Sequence, residues 1–186
     1  ITKLVYGHFT TTFIASTESG SRPEDVFAKH NISAYLCGHL HYQFGKNLLK
    51  HHIRGLSKDV GEFWEWEMGD WKENRVLRIV AIDHGYTSFL DLSLAEMDAA
   101  NHAADTKSFV LITHPLDSQK MQRTFPSMSA AVHNSVRALV FSSELVVSAK
   151  ALVYDSDKYH STLIFEFELQ ESFKASDNVI YFIAPL

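Results

Sequence analysis

The chain has 186 residues, of which 46% are hydrophobic and 21% are charged. This length suits one medium-sized domain or two small ones, and the composition excludes a disordered or fibrous protein. The net charge of −5 argues against nucleic acid and anionic membranes as partners, and the single cysteine, Cys37, excludes an internal disulfide framework.

The composition of both ends indicates that the chain is a segment of a larger protein. The chain starts at Ile1 and runs directly into an apolar stretch, and residues 179–183 at the other end have the composition of a strand. No signal-peptide pattern is visible, and no apolar run approaches the roughly 20 residues of a membrane helix. We therefore expect this segment to be soluble, whatever the parent protein is.

The first residues predict an alternation of strands and a helix. Apolar runs at residues 3–6 and 32–37 are typical of short buried strands. The Ser-Arg-Pro-Glu run at residues 21–24 predicts a helix start in which Ser21 is the cap, and Asn31 suits the helix end. In a layered α/β protein the loops after such strands converge on one edge, where ligands usually bind.

From residue 62 onward the pattern changes to β-structure. We expect strands at residues 62–68, 76–82 and 86–92. Asp83-His84-Gly85 predicts a hairpin turn, since Gly85 can supply a positive φ. Residues 94–104 predict a linker or short helix.

A further β unit is predicted to start near Phe109. Its five expected strands lie at residues 109–113, 136–141, 145–154, 162–169 and 179–183. Short, regularly spaced strands with turn residues between them are typical of an immunoglobulin-like β-sandwich, although the Cys and Trp hallmarks of a true immunoglobulin domain are absent.

The sharpest chemical feature is the run Gly38-His39-Leu40-His41, which follows a predicted strand. Its two imidazoles can each hold a different metal of a close pair, or both can hold one metal, and imidazole suits Zn, Fe, Mn and Ni. We expect Gly38 to let the backbone turn sharply. His8 also follows a glycine at a predicted strand end, which makes three histidines at two neighbouring strand ends.

These motifs resemble a known enzyme family. Residues 33–41 resemble the final Gly-His-x-His motif of calcineurin-like metallophosphoesterases, and residues 5–9 resemble the preceding Gly-His motif. Residues 64–72 and 78–85 are similar to the transmembrane-protein-62-like subgroup, in which an immunoglobulin-like domain and then membrane helices follow the catalytic domain.

The resemblance implies a fold class and a domain organisation. Residues 1–106 would be the C-terminal portion of a metallophosphoesterase α/β sandwich. Residues 107–186 would be an all-β immunoglobulin-like sandwich.

The resemblance also implies a dinuclear site. His8 and His39 would be ligands of one metal and His41 a ligand of the other, with two divalent ions (Fe, Mn or Zn) in the intact parent. Such a centre hydrolyses a phosphoester by metal-activated hydroxide. The expected partner is a phosphoester substrate and not nucleic acid, and the parent would be membrane-associated through parts absent here.

The sequence departs from the family because its earlier motifs, Asp-x-His, Gly-Asp and Gly-Asn-His-Asp or Glu, are absent. Only seven residues precede His8, and Asp70 lies after the final motif. We assign no catalytic residue and expect the segment to be inactive alone. Two alternatives stay open: a non-catalytic binding or scaffold module with a degenerate phosphoesterase fold, and a structural zinc site formed by His8, His39 and His41.

Two further groups of residues receive structural interpretations. His51 and His52 lie in a basic stretch that we interpret as a solvated loop. Trp64, Trp66 and Trp71 are expected to pack one face of a sheet.

Overall fold

The computed structural model describes residues 1–16, 18–41, 49–55, 61–100, 108–121, 134–156 and 160–185. The chain divides into two compact units, one formed by Ile1–Ala104 with Asp117–Pro126 and the other by Asp105–Leu116 with Ser127–Leu186. The expected domain boundary between residues 106 and 107 lies outside the described residues.

A four-stranded sheet forms the centre of the first unit, with strands in the order β1-β2-β4-β3. Its strands are β1 (Leu4–Tyr6), β2 (Ala34–Cys37), β3 (Leu49–Arg54) and β4 (Gly61–Glu67). Strands β1 and β4 pair with β2 in parallel, and β3 pairs with β4 in the antiparallel sense. Because β1 and β2 are parallel neighbours, the loops that follow them emerge at the same edge of the sheet.

Both faces of this sheet are covered. On one face, helix α1 (Pro23–Lys29) contributes Ala28 to a cluster that includes Tyr35 and Phe63. On the other face, Trp64 and Trp66 pack with Phe89, which comes from a separate hairpin. Since alternate residues of a strand point to opposite faces, every residue from Phe63 to Glu67 is buried.

The tryptophan expectation is therefore half right. Trp64 and Trp66 share one sheet face, whereas Trp71 is 60% exposed and lies outside the buried clusters.

The hairpin on the second face consists of β5 (Val76–Asp83) and β6 (Tyr86–Ser93). Its turn residues His84 and Gly85 both have positive φ, 49° and 87°, which confirms the expected turn. Helix α2 (Leu94–Ala100) follows and confirms the expected short helix. Residues 101–104 of the same expectation lie outside the described part of the chain.

Helix α1 begins differently from the prediction. Its N-cap is Arg22, without a side-chain capping bond, so the assignment of Ser21 as the cap is wrong. Pro23 occupies the first turn as expected, where its missing N–H costs no hydrogen bond. Asn31, just beyond the helix, has a left-handed φ of 48°, which confirms the predicted helix end.

The second unit is an antiparallel five-stranded sheet with the order β7-β8-β11-β10-β9. Its strands are β7 (Ser108–His114), β8 (Ser135–Ser142), β9 (Ala149–Ser156), β10 (Ser161–Ser176) and β11 (Val179–Pro185). All five predicted strands are present, although β9 starts at Ala149 and β10 continues to Ser176.

The core of the second unit lies on one face of β8 and β11, where Val136, Val140, Ile180 and Phe182 cluster with Leu169 of β10. The first half of β10 pairs with β9 and the second half with β11. The described residues of the whole chain are thus mostly β-sheet with few helices, and the more specific α/β phosphoesterase sandwich stays a prediction. None of the described helices is long and apolar enough to cross a membrane.

Candidate metal centre

The two Gly-His loops lie side by side because backbone hydrogen bonding continues past the ends of β1 and β2. The Gly7 N–H donates to the Leu36 carbonyl at 3.0 Å, and the Gly38 N–H donates to the His8 carbonyl at 3.1 Å. These two bonds place His8 next to the first residues of the second loop.

The rings of His8 and His39 are in direct contact. Nδ1 of His39 lies 3.1 Å from Nε2 of His8, and the rings are edge-to-face with centroids 5.1 Å apart. Metal–imidazole bonds of about 2.0–2.1 Å place two ligand nitrogens about 3.0–3.4 Å apart on one ion. The observed separation is that of a hydrogen bond between the two rings, and it is also compatible with two ligands of a shared metal.

His41 is not part of this contact. It is half-buried, and its backbone is left-handed with a φ of 56°. Hydrogen bonds from the Glu73 N–H and the Asn74 side chain hold the pKa of Asp70 below its usual value, and the nearby charge of His41 lowers it further. His41 is therefore close enough to Asp70 to influence the charge of that carboxylate. Among the described residues, no group of three or more His, Cys, Asp or Glu side chains is arranged to hold a metal ion.

Gly38 does not play the conformational part expected of it. Its φ lies outside the left-handed region, and an added Cβ would make only an ordinary contact, 3.5 Å from Met68 Cγ. The left-handed backbone occurs instead at His41, so the expectation for Gly38 is wrong.

Two phenylalanines flank His39. The ring centroid of Phe9 lies 4.6 Å from that of His39, and the centroid of Phe13 lies 4.9 Å away. Phe9 and Phe13 are 47% and 59% exposed. The His39 ring thus lies between two partly exposed phenylalanine rings.

A buried carboxylate, Glu65 of β4, fixes the loop that follows His8. Its Oε1 accepts a 2.7 Å hydrogen bond from the Thr11 N–H, and its Oε2 accepts one of 2.7 Å from the Thr11 hydroxyl. The buried His52 of β3 also donates to Oε2, at 2.6 Å. Burial raises the pKa of Glu65, but the hydrogen bonds from His52 and Thr11 outweigh burial and lower it overall.

A second buried carboxylate, Glu67, fixes the Gly-His-x-His loop. Its Oε1 accepts from the Leu40 N–H, and its Oε2 accepts from the Cys37 thiol at 3.1 Å. Burial, and then the hydrogen bond to Glu67, raise the pKa of Cys37 well above its usual range. The thiol is therefore buried and neutral.

The same face of the sheet also supports the first loop through Tyr35. Its hydroxyl donates to the Phe9 carbonyl at 2.6 Å, and burial raises its pKa. A Cβ at Gly7 would collide with this hydroxyl, so position 7 accepts only glycine without a shift of Tyr35.

The prediction of a solvated loop around His51 and His52 is wrong. Both residues lie in β3, opposite Trp64 and Phe63, and the His52 ring stacks on Phe63 with centroids 4.4 Å apart. The sequence did contain a signal for this contact. Glu65 lies between two tryptophans in a strand that is buried on both faces, and a buried carboxylate needs a hydrogen-bond partner such as His52.

Comparisons with known proteins show which family the chain resembles. Residues 104–186 match the TMEM62 Ig-like domain family. The chain is 39% identical over 200 residues to a protein of Arabidopsis thaliana provisionally named as a metallophosphoesterase, covering 89% of this chain and 26% of that protein. It is 32% identical over 155 residues to transmembrane protein 62 of Mus musculus, covering 82% of this chain and 21% of that protein.

The chain thus spans about a quarter of the length of these curated relatives. No solved structure matches it. The similarity to these two proteins and to the domain family makes the chain a metallophosphoesterase-related protein. More narrowly, the chain belongs to the transmembrane-protein-62-like subgroup, whose immunoglobulin-like domain it carries.

Proposed function

We propose that this chain supplies three histidine ligands to a dinuclear phosphoesterase centre, with His8 and His39 on one metal and His41 on the other. The observation that carries the proposal is the 3.1 Å approach of the His8 and His39 ring nitrogens at one edge of the sheet. Bound divalent ions (Fe, Mn or Zn) would supply Lewis-acid activation of water and of a phosphoryl group.

In this proposal the histidines bind and orient the metal ions. No residue of the chain is assigned a proton-transfer role. His8 and His39 present adjacent nitrogens, and His41 is close enough to Asp70 to influence its charge. Three histidines leave a dinuclear centre short of ligands, so carboxylates from other segments of the intact protein must complete it. We therefore expect the 186-residue chain alone to be inactive.

The finer fold and location are part of the same proposal. The parallel pairing of β1, β2 and β4 beneath helix α1 supports the C-terminal portion of an α/β phosphoesterase sandwich for the first unit. The name of the mouse relative supports a membrane-associated parent. The substrate is proposed to be a phosphoester. The net charge of −5 argues against a nucleic-acid partner.

The test is metal content together with hydrolysis of a generic aryl phosphate ester, measured on the chain and on the full-length protein. The variant is the double replacement His39→Ala and His41→Ala, and the matched control is His30→Ala, an exposed histidine just after α1. The full-length protein should bind two metals and hydrolyse the ester, and only the double variant should lose both properties. A full-length protein without metal or activity would contradict the proposal.

One observation favours a second candidate, a non-catalytic binding module. The described residues bring only His8 and His39 together, without a third metal-binding side chain. In that case the full-length protein would bind no metal. A structural zinc site would instead bind one metal per chain and raise the melting temperature.

A further inference from the structure

We propose that Glu65 and Glu67 position the two Gly-His loops and thereby set the metal affinity of the histidines. This inference rests on the proposed function, because it concerns the same centre. Both carboxylates lie on one face of β4, an interior strand between β2 and β3, and each reaches a different histidine loop.

Glu67 acts on the second loop at the residue between its two histidines. The acceptor Oε1 takes the N–H of Leu40, whose neighbours on either side are His39 and His41. Fixing this one peptide group restricts the backbone from which both imidazoles project. The other oxygen of Glu67 is held by the Cys37 thiol at 3.1 Å, so the carboxylate itself has a defined orientation.

Glu65 acts on the first loop through two donors of one residue. The N–H and the hydroxyl of Thr11 each donate to a different oxygen of Glu65, both at 2.7 Å. Thr11 lies three residues after His8 and begins a short 3₁₀ helix, Thr11–Phe13. His52 holds the carboxylate from the opposite side at 2.6 Å, so the loop is tied to the sheet through a fixed group.

Packing alone does not account for these carboxylates. Apolar side chains would fill the space between α1 and the sheet without the desolvation cost of two buried acids, and buried ion pairs are often neutral or unfavourable compared with apolar residues of similar size. Glu65 and Glu67 are only 4% and 3% exposed. What they add is a set of directed hydrogen bonds to the two loops that carry His8, His39 and His41. In characterised metal sites, loss of a group bonded directly to a ligand lowers metal affinity or activity about 10–100-fold, and Glu65 and Glu67 act less directly, through the loop backbone.

The experiment compares Glu67→Ala and Glu67→Gln in the full-length protein. Metal affinity is measured by competition between Zn²⁺ or Mn²⁺ and a coloured chelator, and each melting temperature is recorded. Glu67→Ala should weaken metal binding about 10-fold, the lower end of the range for direct partners of a metal ligand. Glu67→Gln keeps an oxygen that can accept from the Leu40 N–H and should restore most of the affinity. Asp25→Ala, an exposed carboxylate on α1, is the control and should change nothing.

A second variant keeps the inference testable if Glu67→Ala does not fold. Thr11→Val preserves side-chain shape and the backbone donor but removes the hydroxyl bond to Glu65. It should weaken metal binding several-fold while the protein remains folded.

The positioning role would be overturned if folded Glu67→Ala kept the metal affinity of the wild type. If only Thr11→Val folds, unchanged metal affinity in that variant would overturn it. The proposed function would still stand if the wild-type protein binds metal and the His39→Ala, His41→Ala double variant does not. A wild-type protein that binds no metal would overturn both.

Discussion

Replacing Glu65 with alanine should destabilise the first unit strongly. The substitution leaves three buried donors without their acceptor: the Thr11 N–H, the Thr11 hydroxyl and His52 Nε2. Each unsatisfied buried donor costs about 1–3 kcal/mol. Water that enters the vacated space recovers part of this cost. Removing one partner of a buried pair such as Glu65–His52 costs about 3–5 kcal/mol, so we expect a loss of about 3–5 kcal/mol in the free energy of unfolding.

Urea unfolding followed by tryptophan fluorescence measures this loss in the first unit. All three tryptophans, Trp64, Trp66 and Trp71, lie in that unit. The control is Asp25→Ala, which removes a 3.9 Å ion pair between an exposed carboxylate and Arg54. Exposed pairs contribute about 0–1 kcal/mol. A Glu65→Ala loss no larger than that of Asp25→Ala would refute the reasoning.

Three further predictions concern pH, reactivity and packing. The pKa of Glu65 is lowered in the folded state, so its stabilising effect is present above the unfolded value of about 4.3 and fades as the pH falls through the folded pKa. Acid titration should therefore narrow the stability gap between wild type and Glu65→Ala, and a gap that widens below pH 4 would contradict this sign. Cys37 should resist a thiol-specific reagent in the native protein and react once urea unfolds the first unit, whereas rapid native labelling would disprove its burial. Gly61→Ala would drive a Cβ into the Ala28 backbone carbonyl and should cost about 1–3 kcal/mol, while Gly38→Ala, with its 3.5 Å contact, should be tolerated. Urea midpoints of the two variants measure the difference, and equal midpoints would contradict the close approach.

Much of the fold could be predicted because its signals are local. The β5–β6 turn needs two residues with positive φ, and His84-Gly85 supplies them. The strands of the second unit follow from short apolar runs that turn residues separate. The extension of β10 to Ser176 was missed because Gln170 to Ser176 is mostly polar and exposed, and only its pairing with β11 keeps it extended.

The candidate site was predictable only in part, for a related reason. The adjacency of His8 and His39 follows from two Gly-His motifs at the ends of neighbouring parallel strands. The contact between His52 and Glu65 depends on the register of β3 against β4, in which His52 lies opposite Phe63. Such a register is set by pairing partners that are distant in sequence, so the basic composition of the stretch suggested a solvated loop instead.

The return of Asp117–Pro126 to the first unit was equally invisible in the sequence. Within that unit the Trp64 indole donates to the Met121 carbonyl at 3.1 Å, and the Lys120 ammonium lies 4.0 Å from the Phe89 ring centroid. These contacts join residues far apart along the chain, and no local pattern marks them.

The most direct test of the central claim is a metal titration of the full-length protein and of its His8→Ala, His39→Ala and doubly substituted variants. If both histidines hold one ion, each single substitution should remove most of the affinity for that ion, and the double substitution should add little further loss. Independent and additive losses, or no loss in any variant, would contradict a metal shared by His8 and His39.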